Sequence, residues 1–196
     1  MNIVERVTNI LVRPKDEWAV IEKEETSIKD LLMGYLLILA LIPAISNLIA
    51  YWLIGYKVAY VGTVSGSFGY GLRQAVLGFV SPVVAAFVAA FIINALAEKF
   101  HSVKDSRRAM QLVVYSYTPG LIAGVFVLIR GLGFLSGLAA LYGLYILYVG
   151  LQPIMKTPPE KVTSYFVVSL IVMVLVNLLI AALFTGILVS SPGVYY

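Results

Sequence analysis

The chain has 196 residues, 61% hydrophobic and 12% charged, where a soluble domain is roughly half apolar and about a quarter charged. Its polar residues are too few to cover a water-soluble globule, which excludes a soluble enzyme or binding module and marks a polytopic membrane protein. Cysteine is absent and the formal charge is +4, so disulfides, thiolate metal sites and Cys nucleophiles are excluded. Bases set beside apolar segments point to anionic headgroups rather than nucleic acid.

The first 30 residues hold seven acids and five bases, with no apolar core of signal-peptide length. Ile3, Val7, Ile10 and Leu11 recur at helical spacing, Pro14 interrupts, and a second short helix puts Trp18 and Ile21 on one face. Such a segment is expected to lie along the cytoplasmic interface with Trp18 at headgroup depth. It anchors or packs, or else its acids, clustered between Glu5 and Asp30, dock a partner.

Five charge-free apolar runs follow, at residues 31–54, 74–97, 110–129, 131–152 and 162–189, each about the length a bilayer core requires. The first loop, GYKVAYVGTVSGSFGYG, is rich in Gly, Ser and Tyr and reads as a connector. Arg130, Gly131 and Gly133 separate the third and fourth runs as a tight helical hairpin. Basic residues set the orientation. Arg6, Arg13, Lys15, Lys23, Lys29, Lys99, Lys104, Arg107, Arg108, Lys156 and Lys161 fall on one side, and Lys57, Arg73 and Arg130 on the other. The N-terminus is therefore expected in the cytoplasm and the C-terminus outside.

Ionisable groups inside a membrane are costly enough to be functional by default, and none lies within the five runs. His101 sits alone in a basic loop, and no GxSxG, HExxH or P-loop pattern is present. Neither catalysis nor a metal or cofactor is expected. What remains is uncharged polarity and helix breaking. Pro43, Pro82 and Pro119 fall near the middle of the first three runs and should kink them. Ser81 and Thr118 precede two of these prolines and can satisfy the freed carbonyls. Asn47, Asn94 and Asn177 suit interhelical hydrogen bonds.

Tyr115, Ser116, Tyr117, Thr118 and Pro119 form a polar break in the third run. The fourth carries Tyr142, Tyr145 and Tyr148, three residues apart on one broad face. Buried Tyr hydroxyls need partners, so a hydroxyl network between the third and fourth helices is expected, either locking the hairpin or lining a polar cavity. Gly120 with Gly124, Gly133 with Gly137, and Ala182 with Gly186 allow close backbone approach, within the chain or between copies. Trp18 and the first two glycine pairs are the candidate interface.

The segments RPKDEWAVI, YSYTP, LYGLYILYVGL and MKTPPEKV, in this order around five spans, resemble the Yip domain family of five-span membrane proteins. The resemblance implies the five-helix fold. Eukaryotic members are associated with Rab-type GTPases and vesicle traffic, and have a longer cytosolic N-terminal region; the short segment here fits prokaryotic members better.

The sequence therefore specifies an all-α protein, with an interfacial segment at 1–30, a transmembrane domain at 31–189 and an extracytoplasmic tail at 190–196. Its expected home is a prokaryotic cell membrane. Two functions remain open. One is a non-enzymatic organiser or adaptor working through membrane lipids, a homo-oligomer or a cytoplasmic partner. The other is a small channel, transporter or lipid-translocating protein with a path along Tyr115, Thr118 and Tyr142.

Overall fold

A computed structural model describes residues 2–58, 62–64, 66–129 and 131–189, with side chains described except at 56–58, 62–64, 177 and 179–189. Arg130, the tail 190–196 and the side chains of Asn177 and Ala182, together with the setting of Gly186, lie outside what is described. The protein is an all-α membrane protein with five helices long and apolar enough to cross a bilayer, preceded by N-terminal helices.

Two short helices come first, α1 (Ile3–Val12) and α2 (Pro14–Ile21). Asn2 caps α1 by accepting from the Val4 amide at 3.0 Å. Pro14 breaks the pair and starts α2 at its first turn, where its missing N–H costs nothing. The five long helices are α3 (Ile28–Ile54), α4 (Phe68–Phe100), α5 (Ser106–Leu128), α6 (Phe134–Met155) and α7 (Pro159–Val189). Ser27 opens α3, accepting from the Asp30 amide at 3.1 Å and donating to the Asp30 carboxylate at 2.6 Å. Asp105 opens α5 by accepting from the amides of Arg107 and Arg108.

The described residues of the first loop include two short strands. Tyr56–Val58 and Gly62–Val64 pair as a short antiparallel ribbon, β1 and β2. Of the three prolines, Pro43 and Pro82 lie inside continuous helices. Pro119 instead sits at a break, with α5 running as Ser106–Ser116 and resuming at Thr118. Helix α3 carries a π-helical turn at Leu32–Leu36.

The N-terminal helices do more than lie on a surface. Ile10, Trp18 and Ile21 are fully buried, packed with Leu112, Ile146 and Leu151 in one core. Leu11, Trp18 and Glu22 bond in turn to Tyr142, Ile146 and Lys156, so α2 runs alongside the last half of α6. At 1.5 Å per residue, Tyr142 is about 20 Å from the Met155 end. The turn between α1 and α2 therefore reaches well down the side of the bundle. Arg13, Lys15 and Asp16 at that turn stay exposed.

Glycines permit the tightest contacts. A Cβ on Gly143 would fall 2.6 Å from the Ser116 carbonyl oxygen, and one on Gly150 would fall 2.6 Å from the Trp18 ring. Gly133 and Gly137 meet nothing within 4 Å. Gly143→Ala should therefore cost about 1–3 kcal/mol through overpacking against backbone, whereas Gly137→Ala should leave stability unchanged or slightly raised. Thermal unfolding of the two purified variants in one detergent checks the contrast.

Candidate functional site

The polar residues of α5 do meet partners, but largely not those expected from sequence. The Thr118 hydroxyl lies 2.8 Å from the Tyr35 hydroxyl of α3 and donates to the Tyr115 carbonyl at 2.7 Å. Thr118 is fully buried, and its bond to Tyr115 occupies a carbonyl next to the break before Pro119. Ser116 donates to the Leu112 carbonyl one turn back at 2.7 Å. Tyr117 reaches α4 and donates to the Ala85 carbonyl at 3.4 Å.

Tyr142 corrects the expected hydroxyl pairing most clearly. It bonds no side chain of α5; its hydroxyl donates to the Leu11 carbonyl of α1 at 2.8 Å. The reason is steric. Gly143 brings the α6 backbone against Ser116, and Tyr142 on the next position points away from that contact towards α1. Tyr145 stacks on Tyr142 at 5.7 Å between centroids. Tyr148 meets Thr163 of α7 at 3.2 Å and the edge of Phe166. All three tyrosines are more than a third exposed.

The other candidate residues separate. Asn47 donates to the Gln74 carbonyl at 3.3 Å, joining α3 to α4. Asn94 donates to Ser106 at 2.9 Å, while its Oδ1 is buried without a partner. Gly124 packs on Pro43, 2.7 Å from the position of its Cβ. Gly120 meets nothing within 4 Å and borders a cavity of about 400 Å³ with Pro43, Pro82, Ser116, Tyr117 and Gly143. Trp18 is not at headgroup exposure; it is fully buried, and its indole donates to the Ile146 carbonyl at 3.1 Å.

Sequence reasoning passed over the centre of this arrangement. Arg6 is 4% exposed and lies over the Tyr115 ring at 5.2 Å. Its Nη1 bonds Glu17 at 2.6 Å, and its Nη2 bonds both oxygens of Glu24. Tyr115 also meets the edges of Trp18 and Tyr35, at 6.2 and 4.9 Å. Burial, the largest influence, opposes the charge on Arg6, yet its bond to Glu24 and the neighbouring negative groups outweigh it and raise its pKa. No charge lies within the apolar runs themselves; a charged cluster is brought to their side by α1 and α2. The one signal available was Arg6 itself, a base on the apolar face of an amphipathic helix. No three described His, Asp or Glu side chains are placed to converge on a metal ion.

A family model, the Yip1 domain, matches residues 8–187. The chain belongs to the Yip1 domain family. No curated protein and no solved structure matches it. The match takes in the last part of α1, all of α2 and almost all of the five spans.

Removing Arg6 leaves Glu17 as a buried charge without its partner. Arg6→Ala should cost about 3–5 kcal/mol, and much of that loss should return in Arg6→Met combined with Glu17→Met. Tyr142→Phe should cost only about 0.5–1.5 kcal/mol, one hydrogen bond. Thermal melts of the three variants, followed through the two tryptophans, check the order.

Proposed function

We propose that this Yip1 domain protein is a non-enzymatic membrane organiser acting through lipid contact, with its N-terminus and basic loops on the cytoplasmic face. The observation that carries this reading is the closure of four of its polar hydroxyls on the chain itself. Ser116, Tyr117, Thr118 and Tyr142 each spend a hydroxyl on a backbone carbonyl. A conduit needs polar groups free to exchange partners with its cargo. The bonds of Tyr117 and Tyr142 join helices, and those of Ser116 and Thr118 close on α5 itself.

The outward surface suits lipid. Met33, Leu53, Phe91, Leu141, Ile171 and Leu178 are among the large apolar side chains that face outward, which water would not tolerate and acyl chains favour. The N-terminal helices add cross-section beside the basic end of α6, whereas β1 and β2 add only a short ribbon to the α3–α4 connection. A chain broader at one end contacts the two leaflets unequally, which suits an organiser.

Among the acids expected to dock a partner, Glu17 and Glu24 are taken by Arg6, and Glu22 by Lys156. Glu5, Asp16, Glu25 and Asp30 stay exposed and form the surface a cytoplasmic partner would meet. The conduit reading draws on the 400 Å³ cavity between the proline-bearing helices, but its wall is mostly Pro, Gly and Leu, which suits an acyl chain better than an ion.

Proteoliposomes provide the test. Ion leak and lipid-flip rates should match those of protein-free vesicles, and native mass spectrometry of gently extracted protein should show retained lipid, a defined oligomer or a stoichiometric partner. Flux above the protein-free rate that falls in Ser116→Ala or Tyr117→Phe would overturn the reading in favour of transport.

A further inference from the structure

A cavity of about 560 Å³ opens beside the Arg6 cluster, between α1, the linker before α3 and the sides of α3 and α5. Small-molecule sites are of roughly this size, about 300–1,000 Å³. Its wall carries three carboxylates, Glu24, Glu25 and Asp30, against one guanidinium, Arg6. That guanidinium is already bonded to Glu17 and Glu24. Lys29 does not offset the excess, because it borders a separate apolar cavity with Leu32 and Phe87. The space is therefore electronegative.

A second observation points to a ligand. Tyr115 lines this cavity and is 95% buried, being only 5% exposed. Its ring is held on several sides by Trp18, Tyr35 and Arg6. Its hydroxyl has no hydrogen-bond partner among the described residues. Neighbouring Tyr35, Ser116, Tyr117 and Thr118 all have one. That hydroxyl is not among the described polar atoms sealed from solvent without a partner, so with the rest of the side chain buried it is open to the cavity it lines and within reach of a ligand there. The facing stretch of α3 is its π-helical turn, Leu32–Leu36, an irregularity that recurs at binding sites. Within that turn Gly34 also lines the cavity and leaves open space where a side chain would stand.

We propose that this cavity binds a primary ammonium group, through the Tyr115 hydroxyl and the carboxylates of Glu25 and Asp30. The chemistry selects among cations. No three described His, Asp or Glu side chains gather as metal ligands do. A quaternary ammonium needs free aromatic faces, and the Tyr115 ring is already occupied by Arg6 and its aromatic neighbours. What remains available is a set of oxygen acceptors, which an –NH₃⁺ with three donors satisfies and a methylated nitrogen does not. The group comes either from an ethanolamine-type lipid headgroup or from a soluble amine. The cavity lies at the start of α3, beside the N-terminal helices, where a lipid headgroup would arrive. This assignment gives a ligand chemistry to the lipid contact proposed above and rests on it only for the lipid source.

The test uses the full chain in a maltoside detergent, titrated with phosphatidylethanolamine and with phosphatidylcholine of the same acyl chains and read by native mass spectrometry. Ethanolamine and spermidine serve as competitors. The expected result is one ethanolamine lipid per chain, favoured over the choline lipid by about tenfold, the scale of one charge-assisted hydrogen bond. That preference should be lost in Glu25→Gln and in Tyr115→Phe. Tyr115→Phe keeps the ring contacts, and Glu25 is exposed, so both variants should melt as the parent does. Should Tyr115→Phe fail to fold, Glu25→Gln decides alone. Displacement of the lipid by spermidine at similar concentration would support the site and assign its cation to solution. Equal binding of the two lipids without amine binding, or a preference unchanged in Glu25→Gln, would overturn it. Transport activity in proteoliposomes would leave this selectivity standing, so the two proposals fail separately.

Discussion

A buried guanidinium must be paired or the fold does not tolerate it, and much of this structure follows from meeting that condition for Arg6. Glu17 lies on α2 and Glu24 on the linker to α3, so satisfying one side chain of α1 fixes all three segments together. The same guanidinium rests on Tyr115 of α5, which fixes them to the bundle. Trp18, Tyr142 and Lys156 then repeat the attachment along α6. The N-terminal helices are in this sense a sixth packing element of the domain, held by charge and hydrogen bonds in addition to apolar contact.

Inside the spans a different economy operates. Lipid tails are as apolar as Leu, so helices associate through close packing and hydrogen bonds rather than water exclusion. Gly143 against Ser116 and Gly124 against Pro43 provide the close approach. The hydroxyls of Thr118 and Tyr117 provide the cross-links to α3 and α4. Proline is tolerated because neighbouring groups re-satisfy what it frees, as the bond from Thr118 to the Tyr115 carbonyl illustrates. The polar run YSYTP thus joins three helices by neutral groups at little desolvation cost. Only the Tyr115 hydroxyl is left over, and it faces the electronegative cavity.

Much of the fold was legible because a bilayer imposes a length on apolar runs that few other constraints mimic. The two N-terminal helices were legible from the period of Ile3, Val7, Ile10 and Leu11 and from Pro14. The site was legible only in part. Tyr115, Thr118 and Tyr142 stand out as polar groups in apolar surroundings, but the acceptor for Tyr142 is a backbone carbonyl, and every residue has one. Tyr35 looked like any aromatic residue near a span's start, although it holds Thr118. Arg6 was one of five bases in a short segment, and composition does not distinguish a solvated base from a buried one. Gly143 and Gly150 make tight contacts yet belong to no GxxxG pair; of the two GxxxG pairs only Gly124 packs tightly, on Pro43, while Gly120, Gly133 and Gly137 have open space.

The central claim is that the N-terminal helices are an integral part of the membrane domain, locked through Arg6. Hydrogen–deuterium exchange of the purified chain tests it most directly, because exchange reports the free energy of local opening. The account predicts that the amides of α1 and α2 beyond their first turns exchange as slowly as those in the middle of α5, and that Arg6→Ala speeds them while sparing α4. Rapid exchange across residues 6–21 in the unmodified protein, on the timescale of a helix lying free on the membrane surface, would contradict it.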